Sequence, residues 1–246
     1  MIVISAGMHK AGSGLYFNLT NDLLVAAGMQ DVREIKEKHG FTDLLKHYNC
    51  NIGELVENNL EPLLPIHESG SSFVVKTHRA PTSFLKRLMK QGVVKVTCIY
   101  RDPRDVVLSA MDHGKKIREK GGNHSFVHCT TTAETTPRVK SWLETSIMDW
   151  LKLKDVLSVK YEELLENPTR ELEKLCNFLG IDYSHIDLQT LYKKYRSGNL
   201  DDAAKGYLHF NVGKAGRFHS TMSVEDLEIC NRHFSKYYQE LGYRVT

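Results

Sequence analysis

The chain opens MIVISAGMHKAGSGLYF (Met1–Phe17), and the reading of this stretch decides the fold. The run from Ile2 to Ser5 suits a short buried parallel strand. A loop with Gly7, Gly12 and Gly14 follows, and a helical pattern begins near Leu15. A strand, a glycine-rich turn and a helix N-terminus together make an anion cradle. Backbone N–H groups converge on the ligand, the helix dipole favours negative charge, and glycine lets the backbone come close. Lys10 adds a point charge inside the turn, and Ser13 adds a hydroxyl donor near the helix start.

The spacing also separates this loop from a common relative. A Walker A loop places Lys directly after its second Gly, followed by a magnesium-binding hydroxyl. Here Gly7 and Gly12 fit that frame, but Ser13 and Gly14 follow, and the lysine lies before Gly12. Taken alone, the loop fits a phosphate site or a plain βα turn equally well. The rest of the chain must decide.

With 246 residues, 41% of them apolar and 26% charged, the chain has the composition of a soluble globular protein with a substantial core. A net charge of +3 is too mild to argue for nucleic acid and suits a local anion site. The five cysteines, Cys50, Cys98, Cys129, Cys176 and Cys230, form no C-x-x-C pair, which excludes a zinc knuckle or dithiol motif. Cys98 and Cys176 read as small core residues. The expected compartment is a reducing cytoplasm. No apolar run approaches the ~18 residues of a membrane span, and no secretion leader is visible.

Helix is expected over 15–28, with Gly28 as its stop. Residues 29–70 are mixed and polar, with short helices expected around Thr42–Tyr48 and Ile52–Leu60. A second strand is expected over 71–76 and a helix over 81–90 with Pro81 in its first turn. Residues 93–100 read as a third buried strand, followed at once by Arg101-Asp102-Pro103-Arg104-Asp105 and a helix through Met111. Residues 114–136 lose periodicity and read as a long loop of the kind that carries function. Residues 137–153 read as an amphipathic helix with both tryptophans, and 156–160 as a fourth strand. Helical turns broken at Asn167-Pro168 follow. Residues 184–195 read as helix, 197–221 as glycine-rich loop, and 223–241 as a final helix with a Ser223/Asp226 capping box. Strands alternating with helices predict one α/β domain over residues 1–246, with a parallel sheet between helices.

Three strand ends carry unusual polar residues: Lys10 after the first, Lys76-Thr77-His78 after the second, and Arg101 after the third. Ligands of open α/β sheets bind outside the carboxyl ends of the strands, so neighbouring strands would gather these groups around one crevice.

Four segments, in order, then resemble the PAPS-dependent sulfotransferases of the cytosolic type, where PAPS is 3′-phosphoadenosine 5′-phosphosulfate. His9-Lys10-Ala11-Gly12-Ser13-Gly14 resembles the family's 5′-phosphosulfate loop, P-K-S-G-T-T. The run from Tyr100 to Ser109 resembles its 3′-phosphate motif, whose Arg and Ser correspond to Arg101 and Ser109. Tyr161-Glu162-Glu163-Leu164 with Asn167-Pro168 resembles the Y-E-D-L…N-P segment, whose Tyr lies by the adenine. Lys76-Thr77-His78 is similar to the K-T-H that supplies the catalytic base. The resemblance implies a P-loop-like three-layer α/β fold, with a central parallel sheet flanked by helices.

Three positions depart from the family pattern. Gly14 stands where the family has a second hydroxyl. Leu15 takes the place of an adenine-stacking Trp, so stacking would come from elsewhere, with Tyr16 and Phe17 as candidates, or be weaker. The family's C-terminal R-K-G-x-x-G-x-W reads here Asn211-Val212-Gly213-Lys214-Ala215-Gly216-Arg217-Phe218, with Lys214 or Arg217 as replacement charge. The expected reaction is in-line transfer of a sulfuryl group from PAPS to a hydroxyl or amine, without a metal. His78 would be general base, Lys10 would stabilise the leaving phosphate, and Lys76 would be a second cation. The cofactor site would comprise Lys10, Ala11, Gly12, Ser13, Gly14, Arg101, Ser109, Tyr161, Gly213 and Lys214. Arg79, Arg104 and Lys115 read as solvated charges.

The alternatives are a P-loop nucleotide kinase-like phosphotransferase and a non-catalytic PAPS- or nucleotide-binding module. The acceptor, whether small molecule, glycan or lipid, would be held by residues 29–70, 114–136 and 184–210, whose few aromatics are Tyr48, Phe126, Tyr192, Tyr195 and Tyr207. A homodimer is compatible with the resemblance, and nucleic acid is not an expected partner.

Overall fold

The computed structural model describes residues 1–195, 199 and 212–245. Its sheet begins with β1 (Ile2–Gly7), which is buried at all six positions. Because alternate strand residues face opposite sides, complete burial means that both faces of the sheet are covered. α1 (Ser13–Ala26) and α2 (Val32–Lys38) follow. Helical turns at Glu57–Leu60 and Leu64–Glu68 lead to β2 (Phe73–Thr77). Next come α3 (Ser83–Lys90), β3 (Val94–Tyr100), α4 (Pro103–Glu119) and α5 (Thr132–Trp142). β4 (Val156–Lys160) precedes α6 (Tyr161–Glu166), α7 (Pro168–Leu179), α8 (Leu188–Lys193) and α9 (Val224–Leu241).

The four strands are parallel in the order β2-β1-β3-β4, so helices flank a central parallel sheet, as the α/β reading expected. The chain passes from β1 to β2 on one side and returns across β1 to β3 on the other. That reversal opens a crevice at the carboxyl ends of β1 and β3, where open sheets bind ligands. The register sets Ser5 opposite both Lys76 and Thr97 and brings the three predicted strand ends side by side.

Several expectations need correction. α1 starts at Ser13 rather than near Leu15, with Gly12 as its left-handed N-cap, because small polar residues enter a first turn that apolar periodicity cannot reveal. Pro81 lies outside α3, whose N-cap is Thr82 accepting from the Leu85 N–H. Residues 41–48 are turns, and helix appears instead at α2, capped by Asp31. The expected loop over 114–136 is largely helical. α4 runs on to Glu119, a 3-10 turn spans Ser125–His128, and α5 begins at Thr132, ahead of Pro137.

Tyr16 and Phe17 are fully buried in the core and do not line the strand-end crevice, so neither supplies the stacking ring expected of them. Arg104 is not solvated. It is 2% exposed, bonded to Asp102 through Nε (3.0 Å) and Nη2 (2.7 Å), and held between the rings of Phe218 and Tyr238. Arg79 and Lys115 are surface charges, as read. All five cysteines are buried thiols. The Ser223/Asp226 capping box is formed. The expected glycine-rich loop over 197–221 and acceptor segment over 184–210, with Tyr207 and Asn211, fall largely outside the described residues. No helix among the described residues is long and apolar enough to cross a membrane.

Candidate functional site

The carboxyl ends of β1, β2 and β3 open into a cleft of about 500 Å³. Its floor is the loop after β1. Lys10 and Gly12 sit in the left-handed region, at φ 64° and 83°. A Cβ on Gly12 would stand 2.5 Å from the Tyr161 ring, so glycine is required there both for conformation and for space. Lys10, Gly12, Ser13 and Gly14 line the cleft. Ala11 does not; it is fully buried, and its N–H goes to the Met8 carbonyl (3.3 Å). The first N–H groups of α1 carry no side-chain cap and lie at this floor.

The end of β2 supplies Lys76 and His78. Lys76 is 6% exposed, and its backbone pairs outward with Cys50 and Ile52, which carries residues 49–51 to the cleft edge. The His78 Nδ1 lies 2.6 Å from the Gly7 carbonyl. A carbonyl can only accept, so Nδ1 carries the proton and Nε2 presents its lone pair to the cleft side. The Lys76 ammonium donates to that Nε2 at 2.6 Å. His9 stacks on the other face of His78, with ring centroids 3.8 Å apart.

Burial and mutual repulsion set the charges here. Burial first, and then the Lys10 charge, lowers the Lys76 pKa to about 7. Lys10 falls to about 8 through burial and the Lys116 charge. Burial, then Lys76 and His9, hold His78 well below the usual histidine range, so its ring is neutral at neutral pH. His9 is pushed down to about 3 by burial, then by Lys76 and Lys10.

The third wall comes from β3 and α4. The Arg101 Nη2 donates to Asp105 (2.9 Å) and to the Lys214 carbonyl (2.6 Å), and the guanidinium lies over the Tyr161 ring. Its Nε is buried without a protein partner. Asp105 in turn accepts from the N–H groups of Gly216 (2.7 Å) and Phe218 (3.1 Å). One buried carboxylate thus ties Arg101 to the loop that brings Gly213 and Lys214 over the cleft. Ser109, two turns along α4, lines the same wall with Tyr161, and Arg217 lines it while paired to Asp112 at 2.8 Å. Apart from Ala11, every residue expected at the cofactor site meets here.

The sequence reading reached the opposite wall only in part: it gave the 114–136 segment and Phe126 to the acceptor, but did not place His9, Trp142 or Arg138 there. His9, Phe126 and Trp142 form an aromatic patch beside His78, flanked by His113, His124, Arg138 and Ser141. One signal was present: Arg138, Ser141 and Trp142 are spaced to share one helix face. Reading helix only from Pro137 left Arg138 at its very start. Among the described residues no group of three or more His, Cys, Asp or Glu is placed to hold a metal ion.

A parallel sheet with a glycine-rich loop between its first strand and helix, flanked by helices on both faces, defines the P-loop-like class of α/β fold. The sulfotransferase domain model matches residues 3–242, and the chain belongs to that family. It is 25% identical over 191 residues to sulfotransferase 1A1 of Mus musculus, covering 70% of this chain and 64% of that protein. It is 28% identical over 201 residues to sulfotransferase 1A1 of Rattus norvegicus, covering 74% of this chain and 67% of that protein. The matches thus span about two thirds of these relatives' length. Among solved structures, a mouse sulfotransferase complexed with PAP superposes with a TM-score of 0.55 at 16% identity, over 97% of this chain and 83% of that one. Retinol dehydratase in complex with androsterone and inactive cofactor PAP gives 0.54 at 17% identity, over 99% and 82%. These likenesses concern the fold.

Proposed function

We propose that the chain transfers a sulfuryl group from PAPS to an acceptor hydroxyl, with the donor lying along the floor of the cleft and the acceptor against its aromatic wall. The observation that carries this reading is the buried dyad at the end of β2. A neutral imidazole, with its proton fixed on Nδ1 by Gly7, presents Nε2 beside two lysines whose charge burial makes costly. A tetrahedral polyanion would relieve that cost. The phosphosulfate of PAPS supplies one, and relatives solved with PAP make the nucleotide a natural choice.

Each residue then has a role. Lys10 meets the charge that develops on the 5′-phosphate as the S–O bond breaks, helped by the N–H groups around Gly12, Ser13 and Gly14. Lys76, drawn to the sulfuryl oxygens, leaves Nε2 of His78, which is then free to take the acceptor proton. The donor's negative charge also raises the basicity of His78 at the moment it is needed. Arg101 and Ser109 hold the 3′-phosphate, with the unpartnered Arg101 Nε as the extra donor. Lys214 provides the closing charge in place of the family's Arg-Lys pair, and Tyr161 sits by the adenine. Solved relatives that hold small alcohols, androsterone and retinol, support a small-molecule acceptor.

The test is His78→Ala, assayed with radiolabelled PAPS. Loss of a positioned base typically costs ~10²–10⁴-fold in rate. Turnover should fall by that order while calorimetric PAP affinity persists. A near-wild-type rate would remove His78 from the mechanism.

A further inference from the structure

The acceptor side of the cleft has a shape and a charge of its own. Centroids of His9 and Trp142 lie 5.1 Å apart, and those of Phe126 and Trp142 5.4 Å. Phe126 is 7% exposed, and the turn that carries it packs so closely on α4 that Gly114 has no room for a Cβ beside the Phe126 and Cys129 carbonyls. This is a firm, ring-sized wall directly beside the His9–His78 stack. A flat ring laid on it would bring a ring hydroxyl towards the imidazole.

Among the described residues Lys10, Lys76, Arg101, Arg138, Lys214 and Arg217 line the cleft, and no aspartate or glutamate does. Lys10, Lys76, Arg101 and Lys214 answer the three anionic groups of the donor. Arg217 is held by Asp112. Arg138 remains. It stands one turn before Trp142 on α5, on the same face, next to Ser141, and no described carboxylate is paired with it. Among the described residues a cationic acceptor would find no counter-charge in the cleft lining, whereas an anionic one would find Arg138.

Resting on the sulfuryl-transfer reading above, we infer that the acceptor is a phenol-like ring compound bearing its own anionic substituent. Its ring packs on His9, Phe126 and Trp142, and its charge is received by Arg138. In the transfer the acceptor oxygen forms a bond to sulfur as the bond from sulfur to the 5′-phosphate oxygen breaks. That electron pair leaves with the phosphate, and the phenolic proton passes to Nε2 of His78. The substituent's charge takes no part in the reaction and acts on orientation and affinity.

The experiment uses p-hydroxybenzoate, phenol and tyramine as matched anionic, neutral and cationic probes. Each is titrated into the PAP-loaded chain by calorimetry and assayed for transfer from radiolabelled PAPS. An exposed ion pair predicts that p-hydroxybenzoate exceeds phenol by about twofold to fivefold in affinity and in kcat/KM, with tyramine weakest. Arg138→Gln should collapse the ratio of anionic to neutral probe, and Arg138→Lys should keep part of it. Arg138 is an exposed helix residue, so neither variant endangers the fold. Equal binding of the three probes, binding of none of them, a preference for tyramine, or an unchanged ratio in Arg138→Gln would overturn the inference. Failure of PAP itself to bind would overturn the donor assignment instead.

Discussion

Raising the pH should weaken the binding of PAP steeply, and the two lysines of the cleft set the size of the effect. In the free protein Lys76 titrates at about 7 and Lys10 at about 8, both lowered chiefly by burial. The bound nucleotide's charge favours the ammonium forms, so binding above these values must be accompanied by proton uptake. At about pH 9 roughly one Lys76 in a hundred and one Lys10 in ten are still protonated, so restoring both charges costs up to about five-hundredfold in affinity relative to pH 7, where Lys76 is already half deprotonated. The plot of log affinity against pH should bend downward near 7 and steepen near 8. Calorimetry in two buffers of different ionisation enthalpy reads both the affinity and the protons taken up. Lys76→Met should remove the earlier bend and leave the later one. The stability of the free protein should move the opposite way. Between about 7 and the ordinary lysine value the unfolded chain binds more protons, so folding becomes more favourable as pH rises through that window. A flat affinity profile without proton uptake would refute the placement of these lysines against the anion.

Three further outcomes follow from packing. Gly12→Ala forces a Cβ to within 2.5 Å of the Tyr161 ring at a φ of 83°, and should cost about 1–3 kcal/mol in denaturant unfolding together with a marked loss of PAP affinity. Arg104→Ala strips the partner from Asp102 in a site where both are buried, and should cost about 3–5 kcal/mol by the same measurement. Arg79→Ala breaks only an exposed pair with Glu54, and should change stability by no more than about 0.5 kcal/mol.

What the sequence revealed and what it hid divide along physical lines. β1, β2 and β3 were readable because a strand buried on both faces is a near-continuous apolar run, and such runs lead into Lys10, Lys76 and Arg101. The gathering of Lys10, Lys76, His78 and Arg101 followed from parallel strands sharing one carboxyl edge. Residues 114–136 misled because Gly114, which breaks the helical pattern, is there so that α4 can touch the Phe126 turn; the glycine serves packing and not a loop. The same error hid Arg138, although Phe126 was already read as an aromatic of the acceptor segment. Arg104 misled in another way. Its charge suggested solvent, whereas Asp102, two residues earlier, and two rings far along the chain made burial tolerable. Tyr16 and Phe17 could not be placed from composition, since a half-turn of helix rotation decides between cleft and core.

On the proposed reading, this cleft recognises a 3′-phosphorylated adenosine nucleotide through Arg101. The most direct measurement is calorimetric titration of PAP and of the same nucleotide without its 3′-phosphate, on the wild-type chain and on Arg101→Ala. Charge-assisted hydrogen bonds of about 1.5–3 kcal/mol predict that the wild type prefers PAP by roughly ten- to a hundredfold or more, and that Arg101→Ala loses this preference, with a smaller loss for the shorter nucleotide because Asp105 and the Lys214 loop lose a buried partner. Equal affinity for the two nucleotides in the wild type, or equal loss of both in the variant, would contradict it.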